Sequence, residues 1–172
     1  AWLALLLPPF AWMGARIGAM RARIMRANAE LVNALGTIQD MATHDSLTGL
    51  HNRASMTDAL EHAVSRARRA GESLAILFID LDGFKHINDE YGYMQGDSVL
   101  QEVAVLLERV CRRGDSVARL GGDEFVMLLG DTSPGDALMV FERVRTLIAE
   151  RAWRGVPNGV RLTASIGDAP MP

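Results

Sequence analysis

Two pairs of acids stand where strand-like runs come to an end. The apolar run Ser73-Leu-Ala-Ile-Leu-Phe-Ile79 leads into Asp80-Leu-Asp82, and Gly121-Gly122 leads into Asp123-Glu124. Carboxylates at the point where a buried strand surfaces are natural ligand positions in α/β sheets. If the hairpin turning at Gly121-Gly122 packs beside the first strand, up to four carboxylates converge. Uncompensated, they would repel one another and raise their pKa values, a conflict that a hard divalent cation with oxygen ligands resolves. Magnesium is the expected ion, with manganese as the alternative. The two glycines let the backbone turn tightly and approach phosphate groups without side chains in the way. Any one of these acids reads more simply as a solvated loop residue; their conjunction with the glycines points to metal-dependent phosphate chemistry.

Other residue types narrow the field. Lys85 is the single lysine against 17 arginines, so a compact ammonium is used at one place only, although a solvated helix-face lysine is the plain alternative. The net charge of −3 argues against a general nucleic-acid binder, which needs a basic footprint, and leaves a free nucleotide as a ligand. Cys111 is the only cysteine, which excludes an intrachain disulfide framework and a cysteine-rich zinc site and suits a reducing compartment. His44, His51, His62 and His86 have no metal-ligand spacing and read as surface or packing residues, and Trp153 reads as core. With 49% hydrophobic and 23% charged residues over 172 positions, the chain should fold as one compact domain with an attachment.

The elements that must position these residues follow from periodicity. Residues 1–15 are apolar around Pro8-Pro9, and Arg16, Arg21, Arg23 and Arg26 follow before the first acid, Glu30. We expect residues 1–20 to be a partial transmembrane segment, with its basic flank and the remaining chain on the cytoplasmic side of the inner membrane. Over residues 21–43, Ile24, Leu31 and Ile38 recur every seven residues with Leu35 and Met41 nearby, which predicts a helical, coiled-coil-like linker; an ordinary amphipathic helix would give a similar pattern. Next come a helix over about 52–70, the strand ending at Ile79, helices over about 84–91 and 97–112, strands at 116–120 and 124–129, a helix over about 135–151 and a strand over about 160–166. The order β-α-α-β-β-α-β after the first helix predicts an α+β, ferredoxin-like split βαβ layout.

Four blocks of sequence carry a resemblance. Gly121-Gly-Asp-Glu-Phe125 resembles the signature of the GGDEF family of diguanylate cyclases. Asp45-Ser-Leu-Thr-Gly-Leu-His-Asn-Arg53 resembles that family's opening motif, Phe78-Ile-Asp-Leu-Asp-Gly-Phe-Lys-His-Ile-Asn-Asp89 its metal and nucleotide segment, and Tyr91-Gly-Tyr-Met-Gln-Gly-Asp97 its guanine segment. The resemblance implies a nucleotidyl-cyclase-like mixed sheet flanked by helices over 44–172. It also implies condensation of two GTP into cyclic di-GMP by a head-to-tail homodimer. By the same resemblance, metal falls to Asp80, the Leu81 carbonyl, Asp123 and Glu124, and substrate contacts to Phe84, Asn88, Asp97, Gly121 and Gly122. Lys85 would stabilise phosphate charge, and Asp123 would accept the proton. Asn88 and Asp97 make chemical sense there, since a carboxylate accepts from guanine N–H groups and an amide complements them; their structural readings are a turn residue and the N-cap of the 97–112 helix.

The resemblance further makes Arg112-Arg-Gly-Asp115, an R-x-x-D unit five residues before Gly121, a product-inhibition site for cyclic di-GMP, whereas an exposed ion pair after a helix is the plain reading. Tyr93 departs from the histidine usual in the family. Pro172 closes the sequence before the strand and final helix that family members carry, so a C-terminally truncated domain with weakened GTP binding is expected. Two other readings are a catalytically silent module that senses cyclic di-GMP or GTP, and a structural dimerisation domain; the acids at 80, 123 and 124 favour the enzyme.

Overall fold

The apolar run beginning at Leu74 becomes the central strand of the sheet in this computed structural model, which describes residues 7–156 and 163–168. The chain divides into two units, Ala1–Asp40 and Met41–Pro172. Helix α1 (Leu7–Thr43) accounts for the described part of the first. Pro8 and Pro9 fall in its first turn, where a missing N–H leaves no intrahelical bond unmade. Ile17, Ile24, Leu31 and Ile38, spaced by seven, are exposed at 49%, 51%, 58% and 62%, an apolar stripe along one side of the helix. Among the described residues no helix is long and apolar enough to cross a membrane; residues 1–6 of the expected membrane segment lie outside them.

In the second unit the elements are α2 (Arg53–Ala70), β1 (Leu74–Asp82), α3 (Phe84–Tyr91), α4 (Tyr93–Val110), β2 (Ser116–Gly121), β3 (Glu124–Gly130), α5 (Pro134–Glu150) and β4 (Thr163–Asp168). The strands form one sheet in the order β2-β3-β1-β4. Its layout is the ferredoxin-like α+β arrangement, but the mixed sheet is corrected: β1–β3, β1–β4 and β2–β3 are all antiparallel. The reason is topological. Each split βαβ half has its two parallel strands separated by a strand from the other half, so no two neighbours run the same way.

Strand alternation sorts the core into two layers. Ala75, Leu77, Ile79 and Leu81 of β1 join Phe125, Met127 and Leu129 of β3 in a core with α3, α4 and α5. Leu74 and Ile76 face the other way with Val126, Leu128 and Ala118, against Met56 and Ala63 of α2. Full burial of side chains such as Leu77 and Phe125 contributes about 1.5–3 kcal/mol each. Along the α2 side of β1, cover runs out at Phe78, which is 49% exposed. Asp80 and Asp82 follow on the same side.

Local signals explain most boundaries. Asn52 caps α2 by accepting from the Ser55 N–H, and Gly71 at φ 69° ends it with its N–H on the Ala67 carbonyl, as left-handed glycine caps do. Ser133 caps α5, followed at once by Pro134. Two boundaries differ from expectation. β1 runs on to Asp82 because β4 pairs with its last residues, Asp80 opposite Ser165 and Asp82 opposite Thr163. α4 starts at Tyr93, four residues early, with Gly92 before it; Tyr93 and Met94 are 79% and 90% exposed, and the one buried residue of the first turn, Gly96, has no apolar side chain to betray it. Asp97 is therefore inside α4 and is not its N-cap.

Candidate active site

The hairpin between β2 and β3 brings the two acid pairs to one end of the sheet. Gly121 pairs with Glu124, so Gly122 and Asp123 form the tip of the turn. Positive φ values of 141° at Gly121 and 54° at Gly122 are the backbone states that favour glycine there. Leu120 is an extra residue on β2, since the register steps from Arg119 opposite Phe125 to Gly121 opposite Glu124; such a bulge bends the strand and re-aims the turn beyond it. Across the β1–β3 ladder Asp80 stands directly opposite Glu124. The Asp80 carboxyl is raised above its ordinary value first by partial desolvation and then by the charges of Asp123, Asp82 and Glu124, with the Leu81 N–H opposing them.

The carboxylates are thus close enough to feel one another. They are not drawn into a cluster: among the described residues no three His, Cys, Asp or Glu side chains are gathered into a group that would hold a metal ion. The expected set counts the Leu81 carbonyl beside the Asp80, Asp123 and Glu124 carboxylates. Those are hard oxygen donors of the kind magnesium-class cations take, and the repulsion that adds to desolvation in raising Asp80 is what such a cation relieves.

The turn is braced by Arg119, which the sequence left unremarked, and by Arg53, the last residue of the opening motif. Arg119 donates from Nε and Nη2 to the Gly122 carbonyl at 3.0 and 2.8 Å, and its Nη1 donates to Asp45 Oδ1 at 3.0 Å. Asp45 sits in a tight loop: Oδ1 also accepts from the Thr48 N–H at 3.0 Å and from Thr48 Oγ1 at 2.7 Å, and the Asp45 N–H donates to the Leu50 carbonyl at 2.8 Å. Burial alone would raise the Asp45 carboxyl. The bonds from Thr48 and Arg119, with the Arg119 charge, outweigh it and hold the group below its ordinary value. Arg53, at the start of α2, donates to the Leu120 carbonyl at 3.3 Å and lies 3.7 Å from Glu124 Oε2. Asn52 closes the loop, donating from Nδ2 to the Ala42 carbonyl at 2.9 Å while capping α2.

On the other side of β1, α3 carries Lys85, Asn88 and Phe84. Lys85 is exposed, Asn88 is half-buried and Phe84 is packed in the core at 7% exposure. Asp97 is exposed on α4, one residue beyond buried Gly96. Arg112 and Asp115 do form the ion pair of the plain reading, Nε to Oδ1 at 3.7 Å, but only its arginine half is exposed: the Asp115 side chain is 5% exposed against 59% for Arg112. Its Oδ2 accepts from the Arg112 N–H at 3.0 Å, while Oδ1 is buried without a hydrogen bond. The Arg112 guanidinium turns toward β3 and the loop after it, with Nη2 at 2.8 Å from the Gly130 carbonyl, 2.9 Å from the Asp131 carbonyl and 2.8 Å from Thr132 Oγ1. His44 and His51 stack at 5.1 Å between ring centroids and bond to Thr43 and Ser55 hydroxyls, a packing role. Trp153 is buried at 4% exposure.

A family model described as diguanylate cyclase, GGDEF domain, matches residues 42–172. The chain belongs to the GGDEF-domain family of diguanylate cyclases. The chain is similar to MucR, a bifunctional diguanylate cyclase/cyclic di-GMP phosphodiesterase of Pseudomonas aeruginosa, with 41% identity over 158 residues, 92% of this chain and 22% of MucR. Response regulator PleD of Caulobacter vibrioides is 41% identical over 150 residues, 81% of this chain and 33% of PleD. Among solved structures, the coiled coil and GGDEF domain of DgcB from Caulobacter crescentus, in complex with c-di-GMP, matches with a TM-score of 0.77 at 29% identity, covering 89% of this chain and 83% of that one. The chain therefore spans from about a fifth to a third of the length of these curated relatives.

Proposed function

We propose that this GGDEF domain condenses two GTP molecules into cyclic di-GMP. The observation that carries the reading is the pairing of Asp80 with Glu124 across β1 and β3 beside a glycine turn whose tip is Asp123. In the proposed reaction the 3′-hydroxyl oxygen of one GTP attacks the α-phosphorus of the other. A new P–O bond forms, the bond to the β-phosphate oxygen breaks, and pyrophosphate leaves; a second such step closes the ring and releases a second pyrophosphate. Asp123 is the candidate acceptor of the hydroxyl proton. Lys85 stabilises charge building on the phosphates, and Asn88 and Asp97 hold the guanine edge. Asp80, the Leu81 carbonyl, Asp123 and Glu124 are the groups that would hold a divalent cation, magnesium by donor chemistry, which supplies neutralisation of phosphate charge.

Each subunit holds one of the two reactants, so the reaction calls for two copies facing head to tail. The exposed stripe Ile17, Ile24, Leu31 and Ile38 on α1 supports pairing through a coiled coil, which raises the effective concentration of the two heads. Arg16, Arg21, Arg23 and Arg26 support a position of that helix against an anionic membrane surface. Arg112 and Asp115 support feedback inhibition by the product. Their present bonds to each other and to Gly130, Asp131 and Thr132 would have to open for that ligand.

Incubation with GTP and magnesium, scoring cyclic di-GMP and pyrophosphate beside Asp123→Ala, tests the reading. Product that disappears in the variant supports it. No product, together with Arg112-dependent binding of cyclic di-GMP, would replace it with a sensor.

A further inference from the structure

Gly96 lies inside α4 with no unusual backbone conformation, so nothing about its φ requires glycine. In a helix interior glycine costs about 1 kcal/mol relative to alanine, so space is the remaining reason for it. A Cβ placed on Gly96 would stand 1.9 Å from Asn88 Oδ1, 3.0 Å from Asn88 Cγ and 3.1 Å from Phe84 Cζ. The Asn88 carboxamide thus lies across the face of α4 where a methyl group would be. Phe84 is held in the core, and the Asn88 carbonyl is tied to the Gly92 N–H at 2.9 Å. The group able to give way is the Asn88 side chain.

We propose that Gly96 is a specificity-determining positioning residue: by lacking a side chain it leaves room for the Asn88 carboxamide to lie over α4 at the residue preceding Asp97, and so sets selectivity for guanine over other bases. This rests on the guanine-binding role proposed above for Asn88 and Asp97. A site built to hydrogen-bond a base rejects competitors only while its polar groups keep their geometry. Gly96→Ala rotates Asn88 away and costs the bond, while alanine itself favours the helix. Stability and selectivity should therefore separate, which a packing role alone would not produce.

The test is a double-mutant cycle on the whole chain with magnesium present, reading equilibrium binding of GTP and of ATP by calorimetry and folding by thermal melting. Asn88→Ala is expected to lower the preference for GTP over ATP about tenfold, the worth of one good hydrogen bond. Gly96→Ala should lower it by a similar factor. In the Asn88→Ala background, where the clashing group is gone, Gly96→Ala should change it less than about twofold. A Gly96→Ala protein with the wild-type preference, or two losses that multiply, overturns the inference. So does unfolding of Gly96→Ala in both backgrounds, which would assign the clash to Phe84. A wild type that binds GTP and ATP alike, or an Asn88→Ala protein with its preference intact, instead sinks the guanine reading and this inference with it.

Discussion

Arg119→Ala removes the group that joins the Asp45 loop to the tip of the catalytic hairpin. The lost contacts are a 3.0 Å bond to Asp45 Oδ1 and two bonds, at 3.0 and 2.8 Å, to the Gly122 carbonyl. Exposed ion pairs contribute up to about 1 kcal/mol, whereas breaking a buried one costs roughly 3–5 kcal/mol. With side-chain exposures of 12% for Arg119 and 23% for Asp45, the cost should fall between, about 2–3 kcal/mol. For a domain of this size that lowers Tm by roughly 6–12 °C. The sign of the pH dependence follows from Asp45, whose folded pKa lies below its ordinary value. Its stabilisation is fully present above the unfolded pKa and is lost as pH falls through the lowered folded one. The gap in stability between wild type and Arg119→Ala should accordingly be widest near neutrality and shrink as pH falls below the ordinary carboxylate value and through the lowered folded one, leaving the loss of the carbonyl bonds, about 1 kcal/mol. Urea unfolding of wild type, Arg119→Ala, Asp45→Asn and the double variant across this range measures it, with a coupling of at least about 1 kcal/mol expected between the two positions. Strict additivity, or a gap that does not change with pH, would refute the clamp.

Arg112→Ala should cost about 1–3 kcal/mol in unfolding free energy, because it strips donors from the Gly130 and Asp131 carbonyls and leaves Asp115 buried without its cation; in an active protein it should also abolish inhibition by added cyclic di-GMP. Leu31→Asp, placed in the exposed seven-residue stripe of α1, should convert a dimer into a monomer by sedimentation velocity while the GGDEF domain keeps its melting transition. Cys111 is pushed up to about 11 by burial and by the neighbouring charges of Asp115 and Glu108. Its reaction with a disulfide reagent should therefore be slow at neutral pH and keep rising with pH well past the range of an ordinary thiol.

How much of the molecule is legible in its sequence depends on how local the signal is. The Leu74–Ile79 run, the Asn52 and Gly71 caps and the two-glycine hairpin are short-range features, and each forms where its residues indicate. The start of α4 is hidden because its first turn carries exposed Tyr93 and Met94, so the apolar period becomes visible only at Val99 and Leu100. The end of β1 is hidden for a different reason: acids look like a strand terminus until β4 supplies partners for them. Arg119 gives no warning because, within its own strand, it reads as a solvent-facing residue, and its partner Asp45 lies 74 positions away. Gly96 is equally silent. Its meaning comes from Asn88 crossing over it, a contact between helices that periodicity does not encode.

The central place of β1 has a consequence for how the chain reaches its native state. Its apolar run is complete by Ile79, yet both neighbours, β3 beginning at Glu124 and β4 beginning at Thr163, are made later in synthesis. Until they arrive, a strongly hydrophobic strand with two open edges has only helices α2 to α4 for company, a species prone to intermolecular pairing. Long-range pairing of this kind also slows folding. Weakening the β1–β4 contact should therefore show first as lost soluble yield during expression, before any defect is seen in the purified protein.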